Sequence, residues 1–220
     1  MITPRVDLYT AIHKALRADM YRTGALLAQT NFADAEERAA ALQAVKTTLG
    51  FFDEHLAHED GGIMPVFAAH APELLAQLAP QHTEHEAISA ALQGLVDAVA
   101  NASPNECVTL GVKLCKTFNE MVAEQSVHMN LEEKRGNEAL WAAMDDAALM
   151  QLRAQMQSKI PPPRFAEWLR LMLPQLNHQE LAGMLMGMRM SAPPEVYARV
   201  SGLAEQVLGT RWKAISAALH

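Results

Sequence analysis

Two His-x-x-x-Glu pairs, His55 with Glu59 and His128 with Glu132, carry the most chemistry in this sequence. Residues four apart on an α-helix lie one above the other on the same face, so each pair can aim an imidazole nitrogen and a carboxylate oxygen at one point. On a helical wheel both glutamates fall within the apolar stripe of their helix, with the histidines at its margin. A carboxylate buried without a partner carries a large desolvation cost, which coordination to a cation offsets. A lone histidine precedes each pair by about 42 residues, His13 before His55 and His85 before His128. The combined donor set is four imidazoles and two carboxylates. It suits iron well and zinc or manganese acceptably, and the lack of cysteine donors argues against a thiolate zinc site or an iron–sulfur cluster.

The pairs belong to an internal repeat. An offset of 73 carries Val45 to Phe118, Leu49 to Val122, His55 to His128, Leu56 to Met129 and Glu59 to Glu132. An offset of 72 carries His13 to His85, Leu16 to Ile88, Met20 to Leu92 and Leu27 to Val99. Two related donor sets suggest two metals, with the carboxylates as bridges and the histidines in outer positions.

These residues resemble the hemerythrin-like, or HHE cation-binding, family. The likeness rests on YTAIHKALR around His13, HLAHED at His55 to Asp60, TEHEAI around His85 and HMNLEE at His128 to Glu133, and it spans roughly residues 5 to 142. The resemblance implies an antiparallel four-helix bundle holding two iron ions, bridged by oxo or hydroxo, with ligands His13, His55, Glu59, His85, His128 and Glu132. Oxygen-carrying members instead have His-x-x-x-His on the third helix and His-x-x-x-x-Asp on the fourth. The closer likeness is to the branches that repair damaged iron–sulfur centres and that sense iron. The cysteine-containing N-terminal domain typical of the repair branch has no counterpart here. Six protein ligands and a bridge leave each iron about one position short of octahedral, where O₂, NO or peroxide can enter.

Other candidates carry weaker signals. His82 lies three residues before His85 at the stripe's edge, a fifth histidine ligand or, as the wheel favours, a surface residue. Gln125 stands where the other half has the apolar Phe52, one turn below His128, placed to hydrogen-bond a ligand from behind. His58 is turned by about 100° from Glu59 and is expected to face solvent; His70, His178 and His220 have no ligand-like company, and Glu124 and Glu133 read as solvated charges. Cys115 lies about 20 Å along the helix from His128, a packed thiol. Met184, Met186, Met188 and Met190 alternate, which spreads them around a helix as adaptable packing rather than a soft-metal site.

The elements that must position these donors are helices, because apolar residues recur three and four positions apart and strand signals are nearly absent. A first helix is expected to open on Thr3-Pro4 and run through Leu8, Ile12, Leu16, Met20 and Leu27, with a turn at Asn31 and Asp34. A second carries Leu42, Val45, Leu49, Phe52 and Leu56 and stops near Gly61-Gly62. After an irregular link containing Pro65, Pro72 and Pro80, a third carries His85, Ile88, Leu92, Leu95, Val96 and Val99, and Ser103-Pro104 opens a fourth. The fold class is all-α, an antiparallel bundle over residues 1–145. Pro161-Pro162-Pro163, Pro174 and Pro193-Pro194 then break residues 146–220 into three or four short helices, a subdomain with Phe165, Trp168, Leu169, Leu171, Met172, Val207, Trp212 and Ile215 available for burial. It would cover the site, form a homodimer or recognise a protein partner.

Composition narrows the function. A net charge of −7 and a pI near 5.7 argue against a phosphate-binding surface, so nucleic acid is not an expected partner. Cys107 and Cys115 are too far apart along one helix for a disulfide and read as reduced; neither a signal peptide nor a membrane span is evident, and the cytoplasm is the expected location. No nucleophile or phosphate loop is present, so any reaction belongs to the metals. The leading reading is a non-haem di-iron protein that binds or senses O₂ or NO, or reduces a reactive oxygen or nitrogen species. The alternative is a metal-dependent regulatory module, an iron sensor without catalysis; ferroxidase-type storage is a third, less suited to His-first pairs.

Overall fold

The structure, a computed structural model, describes residues 5–217 and Leu219. It is all-α, with no strand among the described residues. Four long helices form the bundle: α1 (Thr10–Gln29), α2 (Ala35–Gly62), α4 (Pro72–Asn101) and α5 (Pro104–Leu131), with the short α3 (Met64–His70) between the second and third. They pack in a ring, α1 on α2, α2 on α4, α4 on α5 and α5 back on α1.

Local chemistry sets the helix ends. Asp34 caps α2 by accepting from the backbone N–H of Glu36 and Glu37, an arrangement worth about 1 kcal/mol. Ser103 and Glu106 form a reciprocal capping box at the start of α5, with Pro104 at the first position as expected. The cap expected at Thr3-Pro4 lies outside the described residues. α1 begins later, and Leu8 precedes it: the Asp7 carboxylate accepts from the backbone N–H of Tyr9 and Thr10 and from the Thr10 hydroxyl.

The link before the third long helix is helical rather than irregular. Pro65 and Pro72 each sit in the first turn of a helix, where a missing N–H costs nothing. Pro80 lies inside α4 without ending it. Tertiary packing of Leu74 and Leu78 outweighs the lost backbone bond, and the early start places Gln81 and His82 on the helix.

Two apolar layers fill the bundle. One gathers Leu16, Met20, Leu49, Phe52, Leu92, Val96, Phe118 and Met121; the other gathers Tyr9, Ile63, Phe67, Leu74, Leu78 and Leu140 at the far end. His13 therefore lies between Tyr9 and Leu16, and Glu59 between Phe52 and Ile63, in a polar layer sealed on both sides. After α5, residues Glu132–Gly136 form a π-helical turn leading into α6 (Asn137–Ala143). Gly136 permits this closure, since a β-carbon there would stand 2.9 Å from the Tyr9 ring.

Beyond it come α7 (Asp146–Ser158), α8 (Pro162–Met172), a 3-10 turn, α9 (His178–Ser191), α10 (Pro194–Leu208) and α11 (Thr210–Ala217), five helices rather than three or four. Leu169, Leu181, Leu185, Leu203, Leu208 and Ile215 form their own core, with Phe165, Met172, Val207 and Trp212 partly buried against it. Met184 and Met188 pack there too, while Met186 and Met190 face out. α8 docks on α1, and its Trp168 stacks edge-on with Phe51 of α2 and donates to Glu54 of the same helix. Among the described residues no helix is long and apolar enough to cross a membrane.

Candidate metal centre

Two groups of donors converge in the polar layer. His13, His55, Glu59 and Glu132 offer atoms within 4.8 Å of one another, and so do Glu59, His82, His128 and Glu132. Both glutamates belong to both groups. They are buried, Glu59 at 1% exposure and Glu132 at 0%. Glu59 turns Oε1 toward His55 Nε2 at 3.1 Å and Oε2 toward His82 Nε2 at 4.0 Å. Glu132 turns Oε2 toward His128 Nε2 at 3.3 Å and His13 Nε2 at 3.5 Å, and Oε1 toward His82 Nε2 at 3.9 Å.

The electrostatics call for a cation. None of the four carboxylate oxygens has a hydrogen-bond partner, and neither do His82 Nε2 and His128 Nε2. His13 Nε2 and His55 Nε2 face each other at 3.1 Å, a contact that needs a shared proton or a positive ion between two lone pairs. Burial by itself would raise the Glu59 carboxyl, but His55 and His13 outweigh it and hold it well below the ordinary range. Burial and the Glu59 charge push Glu132 up; His128 and His82 pull it down further, and the net shift is downward. Burial works to lower His13, yet Glu133, Glu59 and Glu132 together raise it to about 9. His85 goes the other way, to about 4, through burial and the neighbouring His128 and His82. Two anions, orphaned oxygens and imidazole nitrogens aimed inward fit a metal cation site; the donor chemistry is that of a nitrogen–oxygen site without thiolate.

Three side chains orient the imidazoles from behind. Glu133 accepts from His13 Nδ1 at 3.1 Å and from Arg17. Asp60 accepts from His82 Nδ1 at 2.7 Å, and Gln81 Oε1 accepts from His128 Nδ1 at 2.9 Å. Each bond fixes the tautomer that leaves Nε2 free for the interior.

The structure brings donor atoms of His13, His55, Glu59, His128 and Glu132 together in the two groups. It corrects the reading of His82 as a surface residue: at 4% exposure it stands inside the second group, because α4 already runs through it and presents it inward. His85 is also buried, its ring 4.5 Å from that of His128, but it lies outside the tight groups. Glu133 is a half-buried partner of His13 rather than a solvated charge, and Gln125 is buried without bonding any of the histidines. Asp60 and Gln81 were missed. The signal for Asp60 and Glu133 was in the repeat, since an acid directly follows each inward glutamate. His58 is half-exposed and outside the groups, His70, His178 and Glu124 are exposed, and His220 lies outside the described residues. Cys107 and Cys115 are free thiols, Cys115 bonding the Leu27 carbonyl.

An α-helical bundle with buried, paired His and Glu donors defines a cation-binding class. Residues 5–140 match the model of the hemerythrin HHE cation binding domain, more than half of the chain, and the protein belongs to that family. No curated protein and no solved structure matches it.

Proposed function

We propose that the chain holds two iron ions, one among His13, His55, Glu59 and Glu132 and one among His82, His128 and the same two glutamates with His85 at its edge, and that it binds O₂ or NO there. The observation that carries this reading is the sharing of two buried, otherwise unpartnered carboxylates between two histidine groups. Bound iron would supply redox chemistry and an open position for a small ligand. The chain supplies the rest: Glu133, Asp60 and Gln81 hold the imidazoles, and the apolar layers exclude bulk water. A cavity of about 10 Å³, room for one water-sized molecule, reaches His55, Glu59, His85 and His128 between α2, α4 and α5. The cavity gives a small ligand a way to these donors, and reduction of a reactive oxygen or nitrogen species fits the same site.

The test is anaerobic loading of the full chain with Fe(II). The native protein is expected to hold two ions and to change its absorption spectrum with O₂ or NO, while the Glu59→Ala, Glu132→Ala double variant holds none. An iron-loaded chain whose spectrum is silent to both gases would end the gas-binding reading.

A second reading is a metal-dependent interaction module, and the packing of α8 and α9 beside α1 favours it. α8 packs on α1, the helix of His13, and Lys14 pairs with Glu180 of α9. Metal at His13 would then stiffen the surface that carries the subdomain. Large metal-dependent gains in thermal midpoint without turnover of peroxide or NO support that reading over the first.

A further inference from the structure

Besides the histidines and Glu59, the cavity beside them is lined by one further polar side chain, Gln125, that makes no hydrogen bond to another described residue. Its outer lining includes Asp53 and Ser89, which bond each other at 2.7 Å. Its walls are Leu49, Phe52, Leu56 and Met121, and its inner end is formed by the histidines and Glu59 described above. Gln125 completes the lining. It is 94% buried, the complement of its 6% exposure, and its amide makes no hydrogen bond to another described residue. A carboxamide that lines an otherwise apolar wall without a partner in the protein gains nothing there unless something in the cavity meets it, and an apolar residue would fill the same wall. The repeat makes the point sharper, because the position related by the offset of 73 is Phe52, on the wall of the same cavity.

Gln125 is not needed to orient a histidine. His128 Nδ1 is taken by Gln81, His82 Nδ1 by Asp60 and His13 Nδ1 by Glu133. What remains for the amide is whatever enters the cavity. We propose that Gln125 is a ligand-binding residue: its NH₂ donates a hydrogen bond to the outer atom of a small molecule or anion of two or three atoms held at the histidine end of the cavity. This rests on the metal-centre reading above and adds the selectivity of its open position. Ligands whose outer atom carries negative charge gain from the donor, whereas those that accept poorly do not.

The probe is azide, titrated into the iron-loaded full chain in native, Gln125→Leu and Gln125→Glu forms, with metal content and the thermal midpoint of the metal-free protein measured alongside. Gln125→Leu is expected to hold as much iron as the native chain and to melt no lower when metal-free, because no bond within the protein is lost. Its azide affinity should fall about tenfold, and the azide stretching band should lose its sensitivity to D₂O. Gln125→Glu should bind azide more weakly still, since a carboxylate repels it. Native azide affinity and native D₂O sensitivity in Gln125→Leu would overturn the proposal while leaving the metal centre intact. So would a metal-free variant that melts several degrees lower, which would make the amide a structural group. A native chain that retains no metal would remove the reading beneath both.

Discussion

The two halves of the bundle contribute related but unequal sets. α1 and α2 bring His13, His55 and Glu59; α4 and α5 bring His82, His128 and Glu132, with His85 alongside. The supports cross between the halves. Asp60, directly after the glutamate of the first half, holds His82 of the second, and Glu133, directly after the glutamate of the second, holds His13 of the first. One histidine of each donor set is therefore oriented by the other half, while His128 is held within its own half by Gln81. The second half departs from the first in three places: an added histidine, the π-helical turn beginning at Glu132, and Gln125 in place of a phenylalanine. The added histidine and the start of the π-turn belong to the second donor group, and Gln125 lines the cavity beside it, so the asymmetry gathers on that side of the bundle. π-turns of this kind occur often at functional sites.

The comparison breaks most visibly if the extra histidine is tested. His82→Ala is expected to lower the iron content of the full chain from two ions to about one, while His85→Ala lowers it less, as metal analysis would show. The reverse order would restore the simple pairing of His13 with His85. A smaller effect separates the crossed supports. Asp60→Asn should weaken retention of one ion by about 10–100-fold in a chelator competition, leaving the other unchanged; equal weakening of both would mean that the halves do not act as separate groups.

The smallest effect is in the metal-free protein. His13 is raised from 6.5 to about 9, so its contribution to stability is fully present below 6.5 and is lost as pH climbs through 9. Thermal midpoints of chelated protein should fall by a few degrees between pH 7 and pH 9.5, a modest loss because Glu133 keeps its pairing with Arg17 when His13 gives up its proton. Replacing His13 with Gln should flatten that dependence.

Much of this was legible in the residues themselves. Period and spacing marked the four long helices, and the Ser103-Pro104 start of α5 was plain from two residues. Five of the six donors that spacing singled out stand in the two groups. Prolines misled: Pro65, Pro72 and Pro80 read together as an irregular link, when the first two open helices and the third is tolerated inside one. A proline reports only a missing N–H, and whether a helix tolerates it depends on the packing around it.

What the sequence by itself determined is the chemistry: two His-x-x-x-Glu pairs on amphipathic helices oblige an interior anion pair, and an interior anion pair requires a cation. What only the tertiary structure decided is which neighbours complete it. His82 and His85 are three residues apart and flank the same edge of one helix, so the rotation of α4 about its axis selects between them, and that rotation is set by packing against α2 and α5. The same holds for Asp60, Gln81 and Glu133, whose partners lie 22, 47 and 120 residues away in the chain and meet only when the ring of helices closes.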